Sequence, residues 1–248
     1  MKKLVLLLAV IIFGFTESFS QTDYLQFEVM SVTPKADKMD LFKKGMATHN
    51  KKFHAKDPYK VGVSYAVSGP NSGAYTWVMG PTTWAQMDSR PGKGEHDIDW
   101  EKNVVPYCES FREVSYWRVN NDVNYQPEGV TTLPKGRLRF NFVYPDQMDR
   151  FEAQMKKIME VYKKYKYKNS FALVTRYGAS SGANAVTINN YPNWGSMDSA
   201  PGSFIKNFEE LHGVSSWAKF LAELNLCIDR SKTYDELSED VPELGGGN

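Results

Sequence analysis

The residues best suited to bind or transform a ligand lie in an element that the chain uses twice. The pattern Trp-x-x-Met-Asp-Ser-x-Pro-Gly occurs at residues 84–92 and again at residues 194–202. In one interpretation, the indole walls a pocket and the carboxylate fixes a polar group of a ligand. In the other, which we favour, the Asp-Ser pair caps a turn that the Trp and Met anchor in the core. The residues concerned are Trp84, Asp88, Trp194 and Asp198.

Two aromatic residues of the first copy complete the set of candidate ligand-binding residues. Tyr65 and Trp77 lie in segments whose composition is typical of strands. Aromatic side chains on strands are more often packed in the core than exposed to a ligand, so core packing is the simpler interpretation.

The four histidines, at positions 49, 54, 96 and 212, form no recognisable metal-binding pattern. His49 and His54 are five residues apart, so they do not share a helix face as i, i+4 ligands would. His96 is close in sequence to two aspartates and fits a metal site only with a distant ligand, and a solvated loop is the simpler interpretation. His212 is the best placed of the four to hold a haem. We predict no metal site and no cofactor, and we assign no catalytic residue.

Two further features have simple structural explanations. Glu113 and Glu223 open the last predicted strand of each copy, and they would be acid or base candidates only if buried; an exposed strand end is favoured. The glycine-rich turns at residues 69–73 and 178–182 lie between two predicted strands rather than before a helix. They therefore predict hairpins and not phosphate-binding loops.

The duplication extends far beyond this element. Met39 and Phe42 fall on Met148 and Phe151 at a constant offset of 109, and from Trp84 onward the offset is 110. A period this long is typical of two fused copies of one fold, not of a solenoid array.

Each copy has the same predicted order of elements, β-α-β-β-α-β, which is the ferredoxin-like order. In the first copy the pattern predicts strands at residues 24–33, 60–67, 74–79 and 112–119 and helices at 38–53 and 98–110. In the second copy it predicts strands at 137–144, 170–177, 183–189 and 222–230 and helices at 147–165 and 203–220.

The ends of the chain and the linker complete the predicted domain organisation. A basic start at Lys2 and Lys3, an apolar run and small residues before Gln21 predict a secretory signal peptide, and therefore a secreted or periplasmic protein without a membrane span. The predicted segments are a signal peptide at 1–20, a first repeat at 21–121, a linker at 122–136, a second repeat at 137–231 and a flexible tail at 232–248.

Charge and cysteine content limit the function further. The formal net charge of +1 lacks the basic excess of nucleic-acid-binding proteins. Two cysteines, Cys108 and Cys227, are too few to be the main framework of a chain of 248 residues. A disulfide between them and two buried free thiols both fit the sequence.

With this element order and duplication, the chain resembles the dimeric α/β-barrel superfamily. The resemblance implies an α+β fold in which two tandem ferredoxin-like βαββαβ domains pack as a pseudo-dimeric α/β barrel. The superfamily includes antibiotic-biosynthesis-type monooxygenases and haem-dependent chlorite dismutase-like enzymes, and none of their residue signatures is present here.

The predicted function is an exported protein that binds a small, partly apolar ligand in a sheet-helix cavity. One alternative is a cofactor-independent or haem-binding monooxygenase-like enzyme. Another is an envelope protein-interaction module. A homo-oligomer, in which the repeats pair between chains instead of within one, also fits the duplication.

Overall fold

The computed structural model describes residues 24–178, 182–198 and 201–247. The predicted signal peptide lies outside the described residues, as do parts of the second glycine-rich turn and of the second connector. Contacts divide the described chain into two units, one formed by residues 24–118 together with 237–247 and the other by residues 119–236.

The first unit has the predicted ferredoxin-like order with short additions. Its strands are β1 (Gln26–Pro34), β2 (Val61–Ser68), β3 (Tyr75–Thr82), β4 (Cys108–Phe111) and the start of β5 (Ser115–Tyr125). Its helices are α1 (Met39–Phe53), α2 (Trp84–Met87) and α3 (Glu95–Asn103). The antiparallel strands lie in the order β2-β3-β1-β5, and β4 pairs with the other end of β1.

The second unit repeats this plan. It contains strands β6 (Lys135–Asn141), β7 (Phe171–Arg176) and β8 (Ala185–Tyr191), and the first residues of β9 (Tyr234–Asp240). Its helices are α4 (Met148–Tyr165), α5 (Pro201–His212) and α6 (Ser216–Cys227). Strand β8 pairs antiparallel with both β6 and β7. Helices α1 and α4 start at the 109-residue offset that the sequence predicts.

The apolar stripes predicted for the two long helices form the centres of the two cores. Phe42 and Met46 of α1 are fully buried against β2 and β3, with Trp77 packed in the same cluster. Phe151 and Met155 of α4 have the equivalent role in the second unit. The apolar residues at helical spacing are therefore sufficient to predict the positions of both helices.

The prediction for the end of the second copy is wrong. The segment predicted as a strand at residues 222–230 continues α6 as far as Cys227, and the strand comes later, as β9. The alanine, leucine and glutamate residues of this segment are strong helix formers, which favours the helix that the structure shows. The single helix predicted at 203–220 is two helices, because Gly213 and Ser215 between them adopt positive φ angles of 98° and 63°.

The flexible tail and the long linker are also corrected. Residues 237–240 of β9 pair with β2, and Leu244 is buried in the first core. Backbone pairing orders this acidic segment, in which Ser238 is buried while Glu239 and Asp240 stay partly exposed. Strand β5 extends to Tyr125 and β6 begins at Lys135, which leaves only residues 126–134 of the predicted linker outside strands.

Both cysteines are buried free thiols. Each donates to the carbonyl oxygen four residues earlier, Cys108 to Val104 and Cys227 to Glu223, at 3.2 Å in both cases. Burial raises the pKa of the Cys108 thiol to about 11, which makes it a poor nucleophile. Among the described residues, no helix combines the length and the apolar composition that crossing a bilayer requires.

Candidate functional site

The second unit contains a cavity of about 380 Å³ between its sheet and its three helices. This volume lies in the range of small-molecule sites, roughly 300 to 1,000 Å³. Strands β6, β7 and β8 provide the floor, and α4, α5 and α6 provide the walls. The aromatic side chains of Phe171, Phe204, Trp217 and Phe220 are part of the lining, so a ligand would meet mostly apolar, aromatic surface.

A buried hydroxyl group is the best-defined polar feature of the cavity. The Tyr162 oxygen accepts hydrogen bonds from the side-chain amides of Asn169 and Asn189, at 3.1 and 2.9 Å. Among the described residues, no acceptor pairs with its hydrogen. Burial raises the pKa of Tyr162, so the group stays protonated near neutral pH. It can therefore donate one hydrogen bond to a ligand.

Positive charge lies at the same end of the cavity. Arg137 and Arg139 on β6 both line it, and both pair with Asp235 at 2.7 Å. One carboxylate offsets only one of the two guanidinium charges. This group therefore carries a net charge of +1, which favours an anionic or electron-rich oxygen on a bound molecule.

The first unit brings three histidines together. His49 lies on α1, His54 is the residue that ends α1, and His96 lies in the first turn of α3. One ring nitrogen from each lies within 4.8 Å of those of the other two. His54 already has non-helical dihedral angles, φ −129° and ψ 31°, so helical spacing does not restrict where its ring points.

Each of these rings has an oxygen partner on its Nδ1 side. Nδ1 of His49 lies 2.8 Å from Asp99 Oδ1, and Nδ1 of His96 lies 2.7 Å from Asp97 Oδ1. Nδ1 of His54 lies 3.0 Å from the carbonyl oxygen of Tyr59. Burial lowers the pKa of His49 and lowers the pKa of His54 to about 3. The solvated-loop interpretation of His96 is wrong, because its side chain is only 13% exposed and lies on a helix.

No family model matches the sequence. No curated protein matches it either. The fold, however, is similar to several solved structures over nine-tenths of the chain. A proposed monooxygenase from Lactobacillus acidophilus NCFM is 12% identical, with a TM-score of 0.56, and the match covers 91% of this chain and 98% of that chain.

Two further structures show the same likeness. An anthrone oxidase-like protein is 9% identical, with a TM-score of 0.56 and coverage of 89% and 92%. A chlorite dismutase from Candidatus Nitrospira defluvii, solved in complex with imidazole, is 8% identical, with a TM-score of 0.53 and coverage of 90% and 94%. The chain has the dimeric α/β-barrel fold. The fold class predicted from tandem ferredoxin-like repeats is thereby confirmed.

None of the six candidate ligand-binding residues lines the cavity of the second unit, although Ser196 and Met197, which lie between Trp194 and Asp198, do line it. Trp77 is 4% exposed, and its indole N–H donates to Asn50 at 3.0 Å. Tyr65 packs against Tyr75, with ring centroids 5.1 Å apart. Trp194 lies under the ammonium group of Lys135, at 5.3 Å. Their role in binding a ligand stays a prediction.

The other candidate acids and the haem ligand are also outside the cavity. Glu113 is exposed between β4 and β5, and Glu223 lies on α6, where it pairs with Arg150 at 2.7 Å. His212 packs on Phe208, and its Nε2 lies 3.1 Å from the carbonyl oxygen of Lys157. Among the described residues that line the cavity, none is a histidine or a cysteine. The cavity therefore does not fit a haem held by either ligand.

The first connector is held by residues that the sequence pattern did not single out. Thr83 and Gln86 form a capping box around α2, with hydrogen bonds of 3.2 and 2.8 Å. The Tyr59 hydroxyl donates to the Gln86 carbonyl at 2.7 Å. Trp84 is 36% exposed and packs against Tyr116. Asp88 is exposed at the C-cap position of α2, where its backbone N–H donates to the Gln86 carbonyl oxygen.

This arrangement predicts unequal effects of two alanine substitutions. Thr83→Ala is expected to lower the free energy of unfolding by about 1 kcal/mol, because it removes a side-chain cap. Asp88→Ala should change it by less than about 0.5 kcal/mol, as for most exposed positions. Urea unfolding of both variants measures the difference. A larger loss for Asp88→Ala would show that the aspartate caps the turn after all.

Proposed function

We propose that this protein binds a small, partly apolar molecule carrying an acceptor oxygen in the cavity of the second unit. The observation that carries the proposal is an aromatic-lined cavity that contains one buried hydroxyl donor, on Tyr162, for which the described part of the chain offers no acceptor. A buried polar group without a partner costs free energy, so a ligand that accepts this hydrogen bond gains from filling the site.

The chemistry of the lining narrows the class of ligand. The aromatic side chains of Phe171, Phe204 and Trp217 favour a flat, aromatic body. Arg137 and the Tyr162 hydroxyl favour a carbonyl, phenolate or carboxylate oxygen at one end. An aromatic carboxylate or a polycyclic phenol satisfies both requirements, whereas a wholly apolar molecule satisfies only the first.

A second candidate function is a cofactor-independent, monooxygenase-like enzyme acting on such a molecule. The likeness in fold to a proposed monooxygenase and to an anthrone oxidase-like protein favours it. The same hydroxyl and guanidinium groups would stabilise negative charge on the substrate oxygen as an enolate or phenolate forms. An envelope interaction module is less favoured, because it requires no cavity. We include export in the proposal on the strength of the N-terminal sequence.

The proposal predicts a specific effect of removing one hydroxyl group. Two fluorescent probes with the same ring system, naphthalene and 2-naphthoate, are titrated into the purified chain. Tyr162→Phe is expected to weaken 2-naphthoate binding by about fivefold to tenfold, the value of one hydrogen bond, and to leave naphthalene binding unchanged.

Tyr144→Phe is the matched control, because this tyrosine belongs to the same unit and is 44% exposed. Equal losses for both probes, or for both variants, would contradict the assignment of Tyr162 as the donor. Oxygen uptake in the presence of anthrone distinguishes the two functions: the enzyme candidate predicts uptake that Tyr162→Phe slows, and a binding protein predicts none.

A further inference from the structure

The partners of the three histidines in the first unit determine which ring nitrogens carry hydrogen. The Tyr59 carbonyl oxygen can only accept, so Nδ1 of His54 must donate to it. The carboxylates of Asp97 and Asp99 likewise take the Nδ1 hydrogens of His96 and His49. In the neutral ring the other nitrogen, Nε2, is then a bare lone pair. All three rings are held in the tautomer that metal ligands use.

One ring nitrogen from each histidine lies within 4.8 Å of those of the other two. The Nε2 atoms of His54 and His96 lie 3.1 Å apart, so two lone pairs face each other when both rings are neutral. Nε2 of His49 is buried, and no hydrogen-bond partner for it exists among the described residues. Buried acceptors are almost always paired, so bare lone pairs brought this close together favour a ligand that all of them can bind. A cation at this point would satisfy all three nitrogens together.

We propose that His49, His54 and His96 bind one divalent transition-metal ion of the kind that prefers imidazole, with zinc as the reference ion. Two ligand nitrogens in a tetrahedral zinc site are about 3.3 Å apart, given zinc-nitrogen bonds of about 2.0 to 2.1 Å. The His54 and His96 nitrogens already have nearly this separation. Three protein ligands leave a fourth position for water or a substrate, which is the arrangement of catalytic rather than structural zinc sites.

The surroundings support an ion with two positive charges. Asp97 and Asp99 place two carboxylates directly behind the ligand rings, where they orient the imidazoles and offset the charge of the ion. The rings of Phe53, Trp77 and Trp100 lie 4.9 to 5.2 Å from one or more of the histidine rings. This aromatic layer limits the access of water and strengthens the bonds to the metal.

The second copy does not have histidines at the equivalent positions. At the offsets of the duplication, His49 and His54 fall on Ile158 and Lys163, and His96 falls on Lys206. Ile158 lines the cavity of the second unit. The same place in the two repeats therefore holds a histidine cluster in one and a ligand cavity in the other, and the metal proposal is independent of the proposed ligand. One ion per chain is expected.

Metal titration of the purified chain tests the proposal. Protein stripped with EDTA is titrated with zinc in competition with a chromophoric chelator. We expect one zinc ion per chain, and at least about 100-fold weaker binding for His96→Ala, which removes a ligand. Asp97→Asn should weaken binding by roughly 10-fold to 100-fold, because it removes the group that orients His96. The visible spectrum of the cobalt-substituted chain should show the intense bands of four-coordinate cobalt.

The control is His212→Ala, a histidine of the second unit, which should bind zinc like the unchanged chain. His96 is chosen because it is the most exposed of the three ligands, so its replacement disturbs the core least. Zinc affinity that survives His96→Ala, or that falls equally in His212→Ala, would overturn the proposal. So would a chain whose nitrogen-15 spectrum shows a proton shared by His54 and His96 that added zinc does not displace.

Discussion

Replacing Gly45 by alanine is expected to lower the free energy of unfolding by about 3 kcal/mol, although alanine is the better helix former. Gly45 lies within α1, where α3 ends against it. A methyl group at this position would overlap the backbone carbonyl oxygen of Asn103. Helix propensity favours the substitution by about 1 kcal/mol, so the collision must dominate for a net loss to appear. Backbone cannot rotate away as a side chain can, and the two helices must separate.

The same substitution should weaken the proposed metal site. Asn103 donates to Asp99 Oδ2 at 2.9 Å, and Asp99 holds the His49 ring through its other oxygen. Moving the end of α3 therefore moves the group that orients a ligand on α1. Zinc affinity is expected to fall by roughly 10-fold or more in Gly45→Ala, measured by the same competition titration.

Gly92→Ala is the matched control for stability. An added methyl group there would come no closer than 4.0 Å to the nearest atom, the Arg90 carbonyl oxygen. Its free energy of unfolding should change by less than about 1 kcal/mol. Chemical denaturation of both variants gives the comparison. Equal stabilities would mean that α1 and α3 can separate at little cost, and the close approach would then not be a determinant of the fold.

Replacing Asn50 by alanine is the second change with a large expected effect, a loss of about 3 kcal/mol. The Asn50 side chain is fully buried and accepts from the Trp77 indole at 3.0 Å, while it donates to the Leu244 carbonyl oxygen at 2.7 Å. Alanine leaves both groups buried without partners, and each such group costs about 1 to 3 kcal/mol. The loss should also release the C-terminal residues from the first core.

Two measurements separate these consequences. Urea unfolding gives the change in free energy, and hydrogen exchange at residues 237–247 reports whether the C-terminal segment opens more often. Asn193→Ala is the control, since Asn193 also accepts from a nearby residue, Ser196, but is exposed. Water replaces its bonds, so the loss there should stay below about 1 kcal/mol. If the C-terminal amides of Asn50→Ala exchange no faster, Asn50 does not secure that segment.

The C-terminal segment illustrates where sequence patterns mislead. Its acidic residues and final glycines are typical of a frayed tail, yet residues 237–240 pair with β2 and Gly246 lies against the backbone of His54. An added methyl group at Gly246 would overlap the His54 carbonyl oxygen. Glycine here serves close backbone approach and not flexibility, a distinction that composition does not make.

The sequence by itself determined the duplication, the α+β class and the positions of the long helices α1 and α4. The positions of the helices follow from local spacing, because apolar residues at helical intervals must face a core. The duplication is visible because whole elements recur at an offset of 109 residues. Such patterns can be read from the sequence because residues close together along the chain lie in the same helix or strand and pack against the same core.

Only the tertiary structure decided which residues meet. His49, His54 and His96 come from two helices and a helix end, and nothing in their spacing shows that their rings converge. The Tyr162 hydroxyl on α4 likewise gains its role from amides on strand β8 and on a loop. Chemistry at a site depends on distances across the fold, which backbone pairing and core packing set after local structure has formed.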